Sequence, residues 1–111
     1  MTAEDRDIIV RLARHWPPKG QFKVIRVSGS EELIADKPSI EKLHLAMGCD
    51  CCDTVIVDRA LMIVMLVDDN GRSDGKPINR KATALYHSVC RPGTTDTIHG
   101  DVAIVNDEDF A

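Results

Sequence analysis

Three of the four cysteines of this 111-residue chain are crowded into one short segment, Cys49-Asp50-Cys51-Cys52. Zinc sites in proteins use four thiolate or imidazole ligands arranged as a tetrahedron. Cys49 and Cys52 have the C-x-x-C spacing that can supply two ligands, and His87 and Cys90 are three residues apart at a predicted helix end. The sequence therefore allows a zinc site formed by Cys49, Cys52, His87 and Cys90, although a second C-x-x-C pair is absent.

The same cysteines have two further interpretations, which the sequence leaves open. A cysteine can pack as a small hydrophobic side chain, and neighbouring thiols can act as a redox switch. The carboxylates of Asp50 and Asp53 flank the cluster and disfavour a thiolate, which argues against a nucleophilic cysteine. We expect core packing without a cofactor, and zinc is the alternative.

A second candidate site surrounds the dipeptide Asn79-Arg80. Asn79 can cap a helix that begins at residue 80, and the N-terminus of a helix attracts anions. Two nearby lysines would add positive charge, and a glycine after His99 would let the backbone approach a ligand closely. The sequence thus predicts a binding site for a small anion formed by Asn79, Arg80, Lys76, Lys81, His99 and Gly100. The alternative is a salt bridge from Arg80 to an acidic loop residue.

Known catalytic motifs are missing from the sequence. There is no Walker loop, no G-x-G-x-x-G, no H-E-x-x-H and no local pattern for a Ser-His-Asp triad. The missing motifs therefore favour a binding protein over an enzyme. An enzyme that uses Arg80 and His99 on a phosphorylated small molecule is a further alternative.

Charge and hydropathy narrow the range of partners. The chain has 18 acidic and 14 basic residues, a formal net charge of −4, and only four aromatic residues, so we expect no nucleic-acid partner. The longest apolar run, Leu61–Val67, is far shorter than the roughly 20 residues of a membrane helix. The polar, acidic segment Met1–Asp7 is unlike a signal peptide. These features predict a cytoplasmic protein with reduced thiols and no membrane partner.

Hydrophobic periodicity in the first half of the chain predicts two helices and two strands. Thr2 can cap a helix over residues 3–15, and Pro17-Pro18 ends it. The apolar stripe of this helix consists of Ile8, Ile9, Leu12, Ala13 and Trp16. Strands are predicted over residues 22–27 and 33–35. A second helix is predicted between Ser39 and Gly48, with Ile40, Leu43 and Met47 on one face.

The second half of the chain predicts strands over residues 54–57, 61–67 and 102–105, and a helix over 80–87. The strand at 61–67 is apolar on both faces, which is typical of an interior strand covered on both sides. The result is a single α+β domain with a mostly antiparallel or mixed sheet and about three helices on one face, in the order α-β-β-α-β-β-α-β. Within residues 1–111 we separate an N-terminal amphipathic helix (1–16), a core (22–106) and a solvated acidic tail (107–111).

Three stretches of the second half resemble a protein family. They are Val67–Gly71, Lys76–Thr83 and Ile98–Val105, which follow the pattern D-x-x-G, then P-x-N-R-x-A, then I-x-G-x-x-x-I-V. The pattern is similar to that of a family of small proteins of unknown function encoded by bacteriophages, plasmids and bacterial genomes. The resemblance covers residues 22–106; the N-terminal helix and the cysteine cluster depart from the family.

The resemblance implies a small accessory protein of mobile elements and no catalytic residues. Together with the missing catalytic motifs, it predicts a non-enzymatic protein that binds a host protein or a small anionic ligand, with a role against a host defence system. The acidic balance of the chain suits a partner with a basic face. The sequence also allows a homodimer, because small domains gain stability by burying further apolar surface.

Overall fold

The structure, a computed structural model, describes residues 2–90 and 93–110 of the chain. The helices are α1 (Ala3–Arg14), α2 (Ile40–Met47) and α3 (Arg80–Val89), and a 3-10 helix spans Asp107–Phe110. The strands are β1 (Phe22–Ile25), β2 (Glu31–Ile34), β3 (Cys52–Asp58), β4 (Ile63–Asp68) and β5 (Val102–Asn106). The predicted order of three helices and five strands is therefore confirmed. None of the described helices is long and apolar enough to cross a bilayer.

The five strands form one antiparallel sheet in the order β2-β1-β5-β4-β3. Two hairpins, β1–β2 and β3–β4, lie on either side of β5. Strands β1, β4 and β5 are buried almost throughout, as their near-continuous apolar sequences require. The predicted α+β class is confirmed.

Helices cover both faces of the sheet, so the prediction that all helices lie on one face is wrong. Helices α1 and α3 cover one face, where they bury Leu12 and Leu85 against β1, β4 and β5. Helix α2 covers the opposite face, where it buries Leu43 and Met47. The physical reason is connectivity: α2 joins β2 to β3, which are the two opposite edges of the sheet, so this segment must cross a face. Because β4 is buried on both faces, the sheet needs a helix layer on each side.

All three helices begin at the predicted N-cap residues. Thr2 and Asp5 form a capping box on α1, while Ser39 caps α2 and Asn79 caps α3. Helix α2 ends at Gly48, whose φ of 65° lies in the left-handed region that glycine adopts without strain.

Three predicted details of burial and solvation differ in the structure. Ala13, assigned to the apolar stripe of α1, is exposed. Leu61 and Met62 are exposed in the turn before β4, which begins at Ile63. The acidic end is not a wholly solvated tail, because residues 107–110 form the 3-10 helix and the Asp109 carboxylate accepts a hydrogen bond from the Gly20 N–H at 3.1 Å. Position 111 of the predicted tail lies outside the described residues.

Candidate functional site

A groove of about 620 Å³ lies on the face of the sheet that α2 covers. Its floor is apolar and consists of Ile40, Leu43, Cys52, Val64, Leu66 and Val105. Helix α2 has eight residues and packs in one apolar cluster with residues of β1, β4 and β5, and it leaves the β3 side of this face partly open, where Ile56 is 45% exposed. Ile40 was predicted to share the buried face of α2, but it is 65% exposed and lines the groove.

The rim of the groove is polar and acidic. It consists of His44, Asp50, Cys51, Thr54, Asp69 and Asp107. The three aspartates are exposed, and none of their carboxylates is in an ion pair within residues 2–90 and 93–110. The part of the lining that the structure describes contains no lysine and no arginine. The groove therefore offers an apolar surface surrounded by negative charge.

The C-x-x-C pair lies at one end of the groove. The Cys49 and Cys52 Sγ atoms are 3.3 Å apart, and the Met47 Sδ atom is 3.9 Å from that of Cys52. Both thiols are free; Cys49 is buried and Cys52 is half-buried, whereas Cys51 is exposed. Burial, together with the contact with Cys52, raises the pKa of the Cys49 thiol to about 12. Burial also raises the pKa of Cys52. Neither is a ready nucleophile at neutral pH.

Hydrogen bonds of the Lys76 side chain connect the end of α2 to the sheet beside these thiols. The Lys76 ammonium donates hydrogen bonds to the Gly48 carbonyl at 2.7 Å and to the carboxylate of Asp68, whose side chain is only 2% exposed. The hydrogen bond to Asp68 raises the pKa of Lys76. Lys76 thus neutralises a buried carboxylate and satisfies a carbonyl at the helix end.

The four residues of the predicted zinc site are not brought together. Cys49 and Cys52 pack in the apolar cluster on the α2 face, whereas His87 and Cys90 belong to the end of α3, which covers the opposite face. The His87 Nε2–H donates to the Asp96 carbonyl at 2.6 Å. Among the described residues, no group of three or more histidines, cysteines or carboxylates is arranged to hold a metal ion.

Asn79, the centre of the predicted anion site, is fully buried and holds three parts of the chain together. Its side-chain oxygen accepts from the Ala82 N–H at 3.1 Å, which caps α3. Its amide nitrogen donates to the carbonyls of Ile25 at 2.9 Å and Gly100 at 3.0 Å. All the hydrogen bonds that orient this side chain are internal.

The cations of the predicted site point to different carboxylates. Arg80 lies 3.2 Å from Glu4 and 3.6 Å from Asp5, both in the first turn of α1. Lys81 pairs with Glu31 of β2 at 2.7 Å. With Lys76 held by Asp68, the three cations do not form a common basic patch. The alternative of a salt bridge from Arg80 describes the contact, although its acidic partners lie in a helix instead of a loop.

His99 lines a second, smaller cavity of about 360 Å³ on the opposite face, whereas Gly100 does not belong to its lining. The His99 ring is held at both nitrogens, by the Lys76 carbonyl and the Thr97 hydroxyl, each at 2.8 Å. Among the residues that the structure describes, the lining includes Asp53, Asp69 and Asp96 but a single lysine or arginine, Arg72. This cavity is polar and acidic, and therefore unsuited to an anion.

Comparison with family models, with curated proteins and with solved structures found no match for this chain. The resemblance to the mobile-element family stays a prediction.

The site rests on geometry alone, and the rim of the groove was missed from the sequence because its aspartates come from three separate segments. One signal was available: an eight-residue helix cannot cover a sheet face whose strands are apolar on both sides.

Proposed function

We propose that this chain is a non-enzymatic binding protein whose groove receives a basic amphipathic helix of a partner protein. The observation that carries the proposal is a groove with an apolar floor, surrounded by three aspartates that form no ion pair with any residue that the structure describes. Apolar anchors of the partner would cover Ile40 and the β3 side of the sheet, and its lysines or arginines would face the rim. This is helix-in-groove recognition, in which one apolar face of a helix is buried.

The layer arrangement supports a helical occupant. Helix α2 packs over β1, β4 and β5 and leaves the β3 side of this face partly uncovered, whereas a sheet face is normally covered by packed helices. A second helix beside α2 would complete the layer and bury Ile40 and Ile56, which are 65% and 45% exposed.

Charge supports a basic occupant instead of a second copy of this chain or a small anion. A second copy docked through the same face would bring its own Asp50, Asp69 and Asp107 against those of the first, which disfavours a dimer at this surface. An anion would meet the same repulsion. Of the two partner classes expected from the sequence, the groove favours the protein partner.

The test uses two synthetic helical peptides with identical leucine faces, one with lysines and one with glutamates on the polar face. Binding of each fluorescently labelled peptide is followed by polarisation at low and high salt. We expect the lysine peptide to bind and its affinity to fall with salt, because exposed charges are screened over about 10 Å at 0.1 M salt. The glutamate peptide is expected not to bind.

Matched variants locate the binding to the groove. Ile40→Ser is expected to weaken binding about tenfold by removing one apolar contact, whereas Leu45→Ser, on the same helix and 86% exposed, is the control outside the groove. Asp107→Lys should weaken binding, whereas Asp74→Lys changes the net charge equally at a residue outside the groove lining. Equal binding of both peptides, no binding of either, or equal effects of each matched pair would reject the proposal.

The mobile-element origin and the role against host defence rest on the family resemblance alone. They specify that the partner is a host protein, and the peptide-binding experiment is the same in either case.

A further inference from the structure

We propose that Cys49 and Cys52 form a reversible intramolecular disulfide by exchange with a low-molecular-weight disulfide such as oxidised glutathione. Their Sγ atoms are 3.3 Å apart, so the two side chains already point at each other. An approach of about 1.2 Å brings the sulfurs to disulfide bond length. The proposal does not depend on what the groove binds.

The neighbouring thiol of Cys51 is not the partner. Cys51 is exposed, whereas Cys49 packs in the core cluster on the α2 face together with Cys52. Adjacent cysteines such as Cys51 and Cys52 make poor disulfide partners because their geometry is tight. The C-x-x-C spacing of Cys49 and Cys52 is the one found in redox-active pairs.

The exchange has two steps. Cys52 is half-buried and lines the groove, so a small disulfide reaches its sulfur; its thiolate attacks, forms a mixed disulfide and releases one glutathione thiolate. The Cys49 thiolate then attacks the Cys52 sulfur, the mixed disulfide breaks, and a second glutathione thiolate leaves. Two protein thiols are oxidised, one glutathione disulfide is reduced, and the two thiol protons end on the released glutathiones. Proximity favours the second step, so the mixed disulfide does not accumulate.

The surroundings of the pair favour a disulfide that persists once it is made. The pair follows Gly48 at the C-terminal end of α2, where the helix dipole disfavours negative charge. Burial of Cys49 works in the same direction. Fast oxidoreductases stabilise their thiolates, and a stabilised thiolate makes the disulfide easier to reduce. Here the bond would fix the segment between α2 and β3 at the end of the groove.

The experiment uses the double variant Cys51→Ser/Cys90→Ser, which keeps only the proposed pair, alongside the unmodified protein. Each is incubated with reduced and oxidised glutathione in varied ratios, quenched with an alkylating reagent and weighed intact. We expect the variant to become lighter by two hydrogen atoms, to lose both alkylatable thiols, and to regain them on addition of dithiothreitol. In the unmodified protein, proteolytic mapping should place the same disulfide between Cys49 and Cys52.

The matched control is Cys49→Ser/Cys90→Ser, which keeps the adjacent pair Cys51 and Cys52. It is expected to gain glutathione instead of losing hydrogen, and circular dichroism confirms that both variants are folded. The proposal is overturned if folded Cys51→Ser/Cys90→Ser keeps both thiols or accumulates the glutathione adduct at ratios that oxidise the glutathione pool, or if the control forms an internal disulfide equally well.

Discussion

Replacing Asn79 by alanine tests whether this side chain is a structural clamp instead of a ligand contact. The substitution removes the cap of α3 and the donor shared by the carbonyls of Ile25 and Gly100. Loss of an N-cap costs about 1 kcal/mol, and each buried carbonyl left without its donor costs about 1 kcal/mol or more. We expect the free energy of unfolding to fall by about 3–4 kcal/mol, a large part of the roughly 5–15 kcal/mol of an ordinary domain.

Three further variants separate the contributions to this loss. Ser39→Ala removes the N-cap of α2, where the serine is exposed and makes one hydrogen bond to the Lys42 N–H, so it should cost only about 1 kcal/mol. Asn79→Ser keeps a capping oxygen but has no second donor, so it should fall between Ser39→Ala and Asn79→Ala. Asn79→Asp should be at least as harmful as Asn79→Ala, because a carboxylate oxygen would then face two carbonyls.

Urea unfolding followed by the fluorescence of Trp16, the single tryptophan, measures all four variants against the unmodified protein. The slope with denaturant must stay constant for the comparison to hold. If Asn79→Ala and Ser39→Ala lose the same free energy, the two carbonyl contacts contribute nothing and the clamp does not exist.

Two other stability measurements probe packing and charge. Gly71→Ala should cost about 2–3 kcal/mol in the same urea assay, because an added Cβ would lie 2.3 Å from the backbone oxygen of His99; a change below the error of the assay would contradict the close approach. Partial burial alone would raise the pKa of Glu31, but hydrogen bonds and charge from Lys81 and Lys23 lower it on balance. A carboxylate with a lowered pKa stabilises the fold above the pKa of the unfolded chain, so this contribution should be lost as the pH falls below that value and through the lower pKa of the folded protein. Lys81→Met should raise the pKa of Glu31, measured by NMR, and reduce this loss; an unchanged pKa would refute the contact.

The fold followed from the sequence because most of its signals are local. Thr2, Ser39 and Asn79 cap helices through contacts three residues away, and Gly48 ends α2 in the same local way. The placement of helices on both faces depended on strand order, which is a property of the whole chain. The apolar run over 61–67 indicated a covered strand, but not which helix would cover it.

Residues of the two predicted sites lie apart where their positions depend on long-range contacts. Arg80 and Lys81 are neighbours in sequence, yet their carboxylate partners lie in α1 and β2. The contact between Cys49 and Cys52 could be anticipated since only two residues separate them, whereas His87 could not be placed relative to them. The groove depends on what α2 leaves uncovered, which no local pattern encodes.

The central position of β5 determines the order in which the chain can fold during synthesis. The hairpins β1–β2 and β3–β4 are local and can form soon after each leaves the ribosome, but no hydrogen-bonded ladder joins them until β5 arrives between them. Until then, both hairpins present an unpaired inner edge and apolar faces, which is the state most prone to aggregation. The native topology should therefore appear only after residue 106 has been translated, and a nascent chain stalled before β5 should be readily captured by chaperones or cleaved by proteases.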